Sequence, residues 1–172
     1  ERPEYFLAVI DQLNSTEQHD CTAWYHLHPD LILGKSTQTR LKVSNNEGAV
    51  LCQIQSYDSH SNSLNYEEIR GGTVPELQGW FSENGKELIP NSAIGFRFQT
   101  ASTIVTVFDF HMKKTGKPYL KVGTSGKYIR FALTQAEKKF DMRLKIGEKI
   151  IETIEVELDG QETDTTIKFK GD

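Results

Sequence analysis

Residues 139–146 read KFDMRLKI, and their alternation decides the fold class. Phe140, Met142, Leu144 and Ile146 fall on one side; Lys139, Asp141, Arg143 and Lys145 fall on the other. A period of two is that of a strand with one buried and one wet face. The pattern spreads outward from there. Downstream, Ile150, Ile154, Val156 and Leu158 stand largely opposite Thr153, Glu155 and Glu157. Gly147-Glu148 between the two runs is short enough for a hairpin turn. Upstream, Ile129, Phe131 and Leu133 alternate with Arg130 and Thr134. Ile94, Phe96 and Phe98 alternate with Gly95 and Arg97, and Val50, Cys52 and Ile54 with Gln53 and Gln55.

Two runs are apolar on both faces. Residues 6–10 are apolar throughout, and in 104–110 Ile104, Phe108 and Phe110 face one way while Val105 and Val107 face the other. Such runs fit strands covered on both sides. A lone sandwich should leave its outer face wet, so a second apolar face points to a neighbouring domain outside the chain. Turn chemistry punctuates the strands at Asn45-Asn46-Glu47-Gly48, at 59–62, Gly71-Gly72, Asn84-Gly85 and 113–118. No segment shows convincing helical amphipathicity; residues 135–139 have room for one turn at most. The polar tail 159–172 holds one edge-strand candidate, 165–170, blunted by lysines. About a dozen short strands with frequent turns give an all-β chain, an antiparallel β-sandwich without substantial helix. It is read as one domain spanning 1–172.

With 172 residues the chain is long enough to bury a core unaided. Apolar residues at 37% and charged residues at 26% mark a globular chain, not a disordered one. The net charge of −4 comes without a basic stripe, which argues against a nucleic-acid partner. The same balance leaves a polyanionic glycan only a local basic groove to bind. No run approaches the roughly 20 apolar residues of a membrane span. Glu1-Arg2-Pro3-Glu4 has neither initiator Met nor the apolar stretch of a secretory leader, so the chain reads as a piece of a longer parent. Cys21 and Cys52 sit in apolar runs and read as buried thiols, with a cross-strand disulfide as the alternative.

Candidate chemistry is sparse. His26 and His28 lie two apart, the spacing that shares a strand face, and are the weak metal candidates; a third ligand would have to come from Asp30, His60, Asp109 or His111. Pro29 ends that run, so a scaffold strand end is the simpler reading. Asp109 and His111 share a face too, but side chains so placed run parallel about 7 Å apart, which is poor geometry for a carboxylate orienting an imidazole. Glu67 with Glu68, and Glu83 with Glu87, offer carboxylate pairs that nothing distinguishes from polar loop. Gly71-Gly72 is no phosphate cradle, and nucleophile, P-loop and dinucleotide motifs are absent. Trp24, Tyr25, Trp80 and Phe81 are the candidate carbohydrate contacts, because an exposed ring can stack on the C–H face of a pyranose. Core packing is the competing role for all four. No catalytic residue and no cofactor are assigned.

Two stretches carry a family resemblance. In the first, Val9-Ile10-Asp11 is followed by His19 and Trp24-Tyr25-His26-Leu27. In the second, Gly79-Trp80-Phe81-Ser82 leads to Gly85-Lys86 and Pro90, and two strands, 93–98 and 103–108, come next. In this order and spacing they resemble the C-terminal β-sandwich region of bacterial heparinase II/III-like polysaccharide lyases. The resemblance runs from Tyr5 to Phe110, within 1–112; residues 113–172 rest on strand pattern alone. It implies a parent that cleaves uronic-acid-containing polysaccharide by β-elimination. It also implies that the catalytic and metal-binding segments, a helical toroid and a Gly-His-rich stretch, lie upstream, since no GHxHxD or AHNT run occurs here. The chain is then expected to be inactive alone and to pack on the toroid. Its partners would be that toroid and a polysaccharide or oligosaccharide, and its compartment that of the parent. The alternatives are a free-standing carbohydrate-binding module and an Ig-like structural or adhesive module with polar outer faces.

Overall fold

The computed structural model describes residues 6–13, 15–58, 60–74, 77–100, 102–110, 120–125, 128–135, 138–146, 151–158, 161–162 and 167–168. Among them the chain is all-β with no helix, and every ladder of known register is antiparallel. It packs as two compact units, residues 1–56 with 63–112, and residues 57–62 with 113–172.

The first unit holds β1 (Phe6–Leu13), β2 (Asp20–His26), β3 (Ile32–Lys35), β4 (Arg40–Ser44), most of β5 (Val50–Tyr57), β6 (Tyr66–Arg70), β7 (Trp80–Phe81), β8 (Ile89–Pro90), β9 (Ser92–Gln99) and β10 (Ser102–Asp109). Strands β1, β10, β5, β4 and β3 form one sheet in that order, and β2, β9 and β6 a second; β7 and β8 pair as a small ribbon. Cross-strand pairs Leu41–Ile54 and Val43–Cys52 on the first sheet meet Ile94 and Phe96 of the second in one buried cluster with Leu27. The two sheets therefore face each other, and the alternation of β5 and β9 supplies the filling. Tyr25, Tyr66 and Phe108 close the cluster's margin. A fully buried side chain of this size contributes about 1.5–3 kcal/mol, so this cluster is a substantial part of the unit's stability.

Strand β10 is covered on both faces by the chain itself. Ile104, Val105 and Thr106 are fully buried and Val107 is nearly so. This corrects the expectation that its second apolar face needs a domain outside the chain. Its central polar residue is satisfied internally, the Thr106 hydroxyl donating to Ser56 Oγ at 3.0 Å. Strand β1, paired to β10 from Phe6–Asp109 to Leu13–Ser102, leaves Leu7 and Leu13 exposed.

The link from β6 to β9 turns on Gly79. Its φ is +74°, and a Cβ there would stand 2.5 Å from Ile69 O and 2.9 Å from Asn91 O. Only glycine fits both the backbone and the space. Gly79 O in turn accepts from Gly71 N and Asn91 N, each at 2.9 Å.

The second unit is a meander of β11 (Leu120–Ser125), β12 (Tyr128–Gln135), β13 (Lys138–Ile146) and β14 (Ile151–Leu158), with β15 (Gln161–Glu162) and β16 (Ile167–Lys168) along β14. Residues 139–146 form the strand expected of them: Leu144 and Ile146 are buried, Lys139 and Arg143 exposed. Leu144 pairs with Ile129 and Ile154, and Met142 with Phe131 and Val156. Of residues 135–139, which had room for one helical turn, the described ones are extended: Gln135 ends β12 and Lys138 and Lys139 open β13. Gln135 pairs with Lys138 across the two strands, because alternation on both sides favours the extended chain. Gly147-Glu148, residues 113–118 and most of the tail lie outside the described residues; Ile167–Lys168 is the described part of the tail-strand candidate.

Candidate functional site

The outer face of the three-stranded sheet is where the chemistry-bearing side chains gather. Register fixes the arrangement: Trp24 lies opposite Gly95, which lies opposite Glu67, and Thr22 lies opposite Arg97. With Ile94 and Phe96 turned into the core, the alternating set Gly95, Arg97 and Gln99 must face outward, with Asp20, Thr22, Trp24 and His26 beside it. Gly95 makes the close approach possible. A Cβ on it would stand 2.8 Å from Trp24 Cζ3 and 2.9 Å from Cη2. The Trp24 ring thus covers the sheet backbone where β9 has no side chain.

Beside the ring runs an open groove of about 530 Å³, lined by Trp24, Thr22, Asp20, Glu67, Arg97 and Gln78 among others. Arg97 grips Glu67 with both arms, Nε to Oε1 at 2.9 Å and Nη2 to Oε2 at 2.7 Å. The hydrogen bonds from Arg97 to Glu67, then the carboxylate's charge, hold the guanidinium above its ordinary pKa. Gln99 Nε2 donates to Asp20 Oδ1 at 3.3 Å. A second depression of about 420 Å³ adjoins it between β1 and β2, sharing Thr22, Trp24 and Phe98 and adding Asp11 and Tyr25. Trp24 therefore stands between two depressions rimmed by polar groups.

The four aromatic candidates part company. Trp24 is half-buried and borders both depressions. Tyr25, one residue on, points inward and meets Phe96 and Phe108 edge-on, at ring-centroid distances of 6.3 and 5.3 Å. Its hydroxyl is buried beside Thr106 and Asp11 without a partner in hydrogen-bond geometry. Burial pushes that phenol above its ordinary pKa; Thr106 opposes the shift and the Asp11 carboxylate adds to it. Trp80 is pinned, its Nε1 donating to Gly72 O at 2.9 Å, and Phe81 packs edge-on against His28 at 5.1 Å. Trp80 and Phe81 belong to the β7–β8 ribbon and line neither depression.

The histidine pair does not converge. His26 ends β2 on its outer face, whereas His28 lies past the strand end, where its Nδ1 accepts from Asp30 N at 3.3 Å and lies 3.4 Å from Asp30 Oδ2. Among the described residues no group of three His, Cys, Asp or Glu side chains is placed to hold a metal ion. The carboxylate pairs dissolve as well. Glu67 faces out to Arg97, while Glu68 accepts from Ser92 Oγ at 2.7 Å; Glu83 and Glu87 are exposed in a loop. Asp109 ends β10, and His111 lies outside the described residues. Cys21 and Cys52 are free thiols on strands of different sheets. Sequence reading alone missed Gly95, Arg97, Glu67, Asp20, Thr22 and Gln78 as companions of Trp24; the signal was the small residue in the outward set of β9, legible only once its register to β2 is known.

No protein-family model matches the chain, no curated protein matches it, and no solved structure matches it.

Proposed function

We propose that this chain is a non-catalytic, glycan-contacting β-sandwich of a heparinase II/III-like polysaccharide lyase, with elimination chemistry carried by other parts of the parent. The observation that supports glycan contact is the Trp24 ring laid over Gly95 between two polar-rimmed depressions. An aromatic surface covers the apolar face of a sugar, and flanking amides, hydroxyls and carboxylates take its hydroxyls. The ordered motifs around Asp11, Trp24-Tyr25-His26 and Gly79-Trp80 support the lyase parent. Titration of the chain with oligosaccharides by calorimetry tests the contact. Binding at millimolar ligand or better, abolished by Trp24→Ala, is expected; binding indifferent to that substitution would refute it.

A free-standing carbohydrate-binding module is the second reading. It is favoured by β10, whose two faces are covered without any further domain. The coding sequence upstream of Glu1 separates the two: a helical toroid with a His-rich segment belongs to the lyase, and its absence to the module.

A further inference from the structure

We propose that the Trp24 site takes an internal stretch of a glycan chain, about four linked rings long, and not a chain end. This rests on the reading of the groove as a sugar site and names the part of the polymer it recognises. Trp24 stands at the junction of two depressions that share Thr22, Trp24 and Phe98. The larger, of about 530 Å³, runs from the ring over β9 to Glu67 and Ile69 of β6. The smaller, of about 420 Å³, runs the other way, to residues 9–13 of β1. Both are open, and each alone falls within the roughly 300–1,000 Å³ of pockets that hold a drug-sized ligand. A sugar stacked on Trp24 therefore has room for a linked neighbour on both sides.

The span sets the length. Neighbouring strands lie about 4.8 Å apart and facing sheets about 10 Å, so the path from β6 through β9 and β2 to β1 measures on the order of 20 Å. A linked pyranose advances its chain by about one strand spacing, roughly 5 Å, which gives about four rings. Polar partners stand on both sides of the indole: Asp20 and Gln78 at the larger depression, Asp11 and Gln12 at the smaller. Carboxylates accept from sugar hydroxyls, and amides both donate and accept. One net hydrogen bond per added ring is worth about fivefold in affinity. A site for a chain end needs the opposite arrangement, an aromatic with a pocket on one side and a wall on the other. An internal stretch is also what a non-catalytic part of a lyase can hold while the polymer runs on towards the cleaving site.

The test uses the whole chain and the indole N–H cross peaks of its two tryptophans. Trp80, pinned to Gly72 O, is the internal reference. The probes are hyaluronan, alginate and heparin oligosaccharides of two, four, six and eight rings. At least one series is expected to move the Trp24 peak and leave that of Trp80. In that series affinity should rise about 25-fold from two rings to four, at about fivefold per ring. Beyond that it should gain only the statistical factor of extra registers. Methyl caps on both ends of the six-ring probe should change its affinity less than about twofold. Gln78→Ala and Gln12→Ala trim opposite depressions. Each should weaken the four-ring probe about fivefold. The two-ring probe can shift to the unaltered side, so it should lose no more than about twofold. Both variants should keep well-dispersed spectra. Affinity independent of length, loss on capping, or sensitivity to only one of the two variants would mark an end-binding or one-sided site; each overturns this inference and leaves the sugar reading standing. If no probe moves the Trp24 peak at millimolar concentration, the sugar reading falls and takes this inference with it.

Discussion

The adjacent aromatics Trp24 and Tyr25 are split by the two-residue period of a strand. Trp24 and Tyr25 cannot both face the core, and β2 turns Tyr25 in and Trp24 out. The sequence alone allows either assignment, because both flanking alternations are weak; what decides it is a glycine on the neighbouring strand. Gly95→Ala would put a methyl 2.8 Å from both Trp24 Cζ3 and Thr22 Cγ2. The ring must lift, so oligosaccharide binding should be lost while stability falls by about 1–3 kcal/mol; calorimetry and urea titration read the two effects separately. Cys52 illustrates the other residue-scale lever. Burial foremost, and then the charge of Asp109, push its thiol from 9.0 to about 11. The unfolded chain loses this proton near pH 9 while the folded chain keeps it. The stability tied to the neutral thiol is therefore intact below pH 9 and is lost as pH rises through 11, at about 1.4 kcal/mol per pH unit between. Urea titrations at pH 8 and pH 10.5 should show that fall, and Cys52→Ala should remove it. An equal fall in the alanine variant would assign it elsewhere.

At the scale of elements, alternation located the strands well because one face of each is buried, as in β5 with Cys52, Ile54 and Ser56 inward. It misjudged β9 and β10. Gly95 reads as a wet position but is buried under Trp24, and Val105 and Val107 read as a surface awaiting an absent partner but are covered by the chain. A one-dimensional pattern reports that a face is apolar, not which atoms cover it. The buried Thr106–Ser56 hydrogen bond between β10 and β5 gives an element-scale prediction. Thr106→Val strands the fully buried Ser56 hydroxyl and should cost about 1–3 kcal/mol. Adding Ser56→Ala should recover most of the loss, since two matched apolar groups leave nothing unsatisfied. A double variant no more stable than the single one would show that packing, not the hydrogen bond, sets the cost.

For the whole molecule, the all-β class was plain from turn density and the period of two, whereas the division into two compact units was not. Residues 57–62 belong with the later unit although they continue from β5, and no composition change marks that boundary. The candidate site was legible only as a set of aromatics, because most of its polar members come from β2, β6 and β9, strands far apart in sequence that register alone brings side by side, with Gln78 added from the segment between β6 and β7. If the lyase reading is right, the entire chain should release no unsaturated uronate from heparin, hyaluronan or alginate, as followed by ultraviolet absorbance. Sustained turnover would move the chemistry into these residues and defeat the proposal. The seat of Trp24 also has a consequence for ancestry. A ring at 24 requires a bare backbone at 95, so Gly95 is constrained for as long as Trp24 is kept. Relatives too distant for ordinary sequence comparison should still divide into those that keep both Trp24 and Gly95 and those in which a smaller residue at 24 has freed 95 to enlarge, and the aromatic platform over the sheet would be inherited only by the first group.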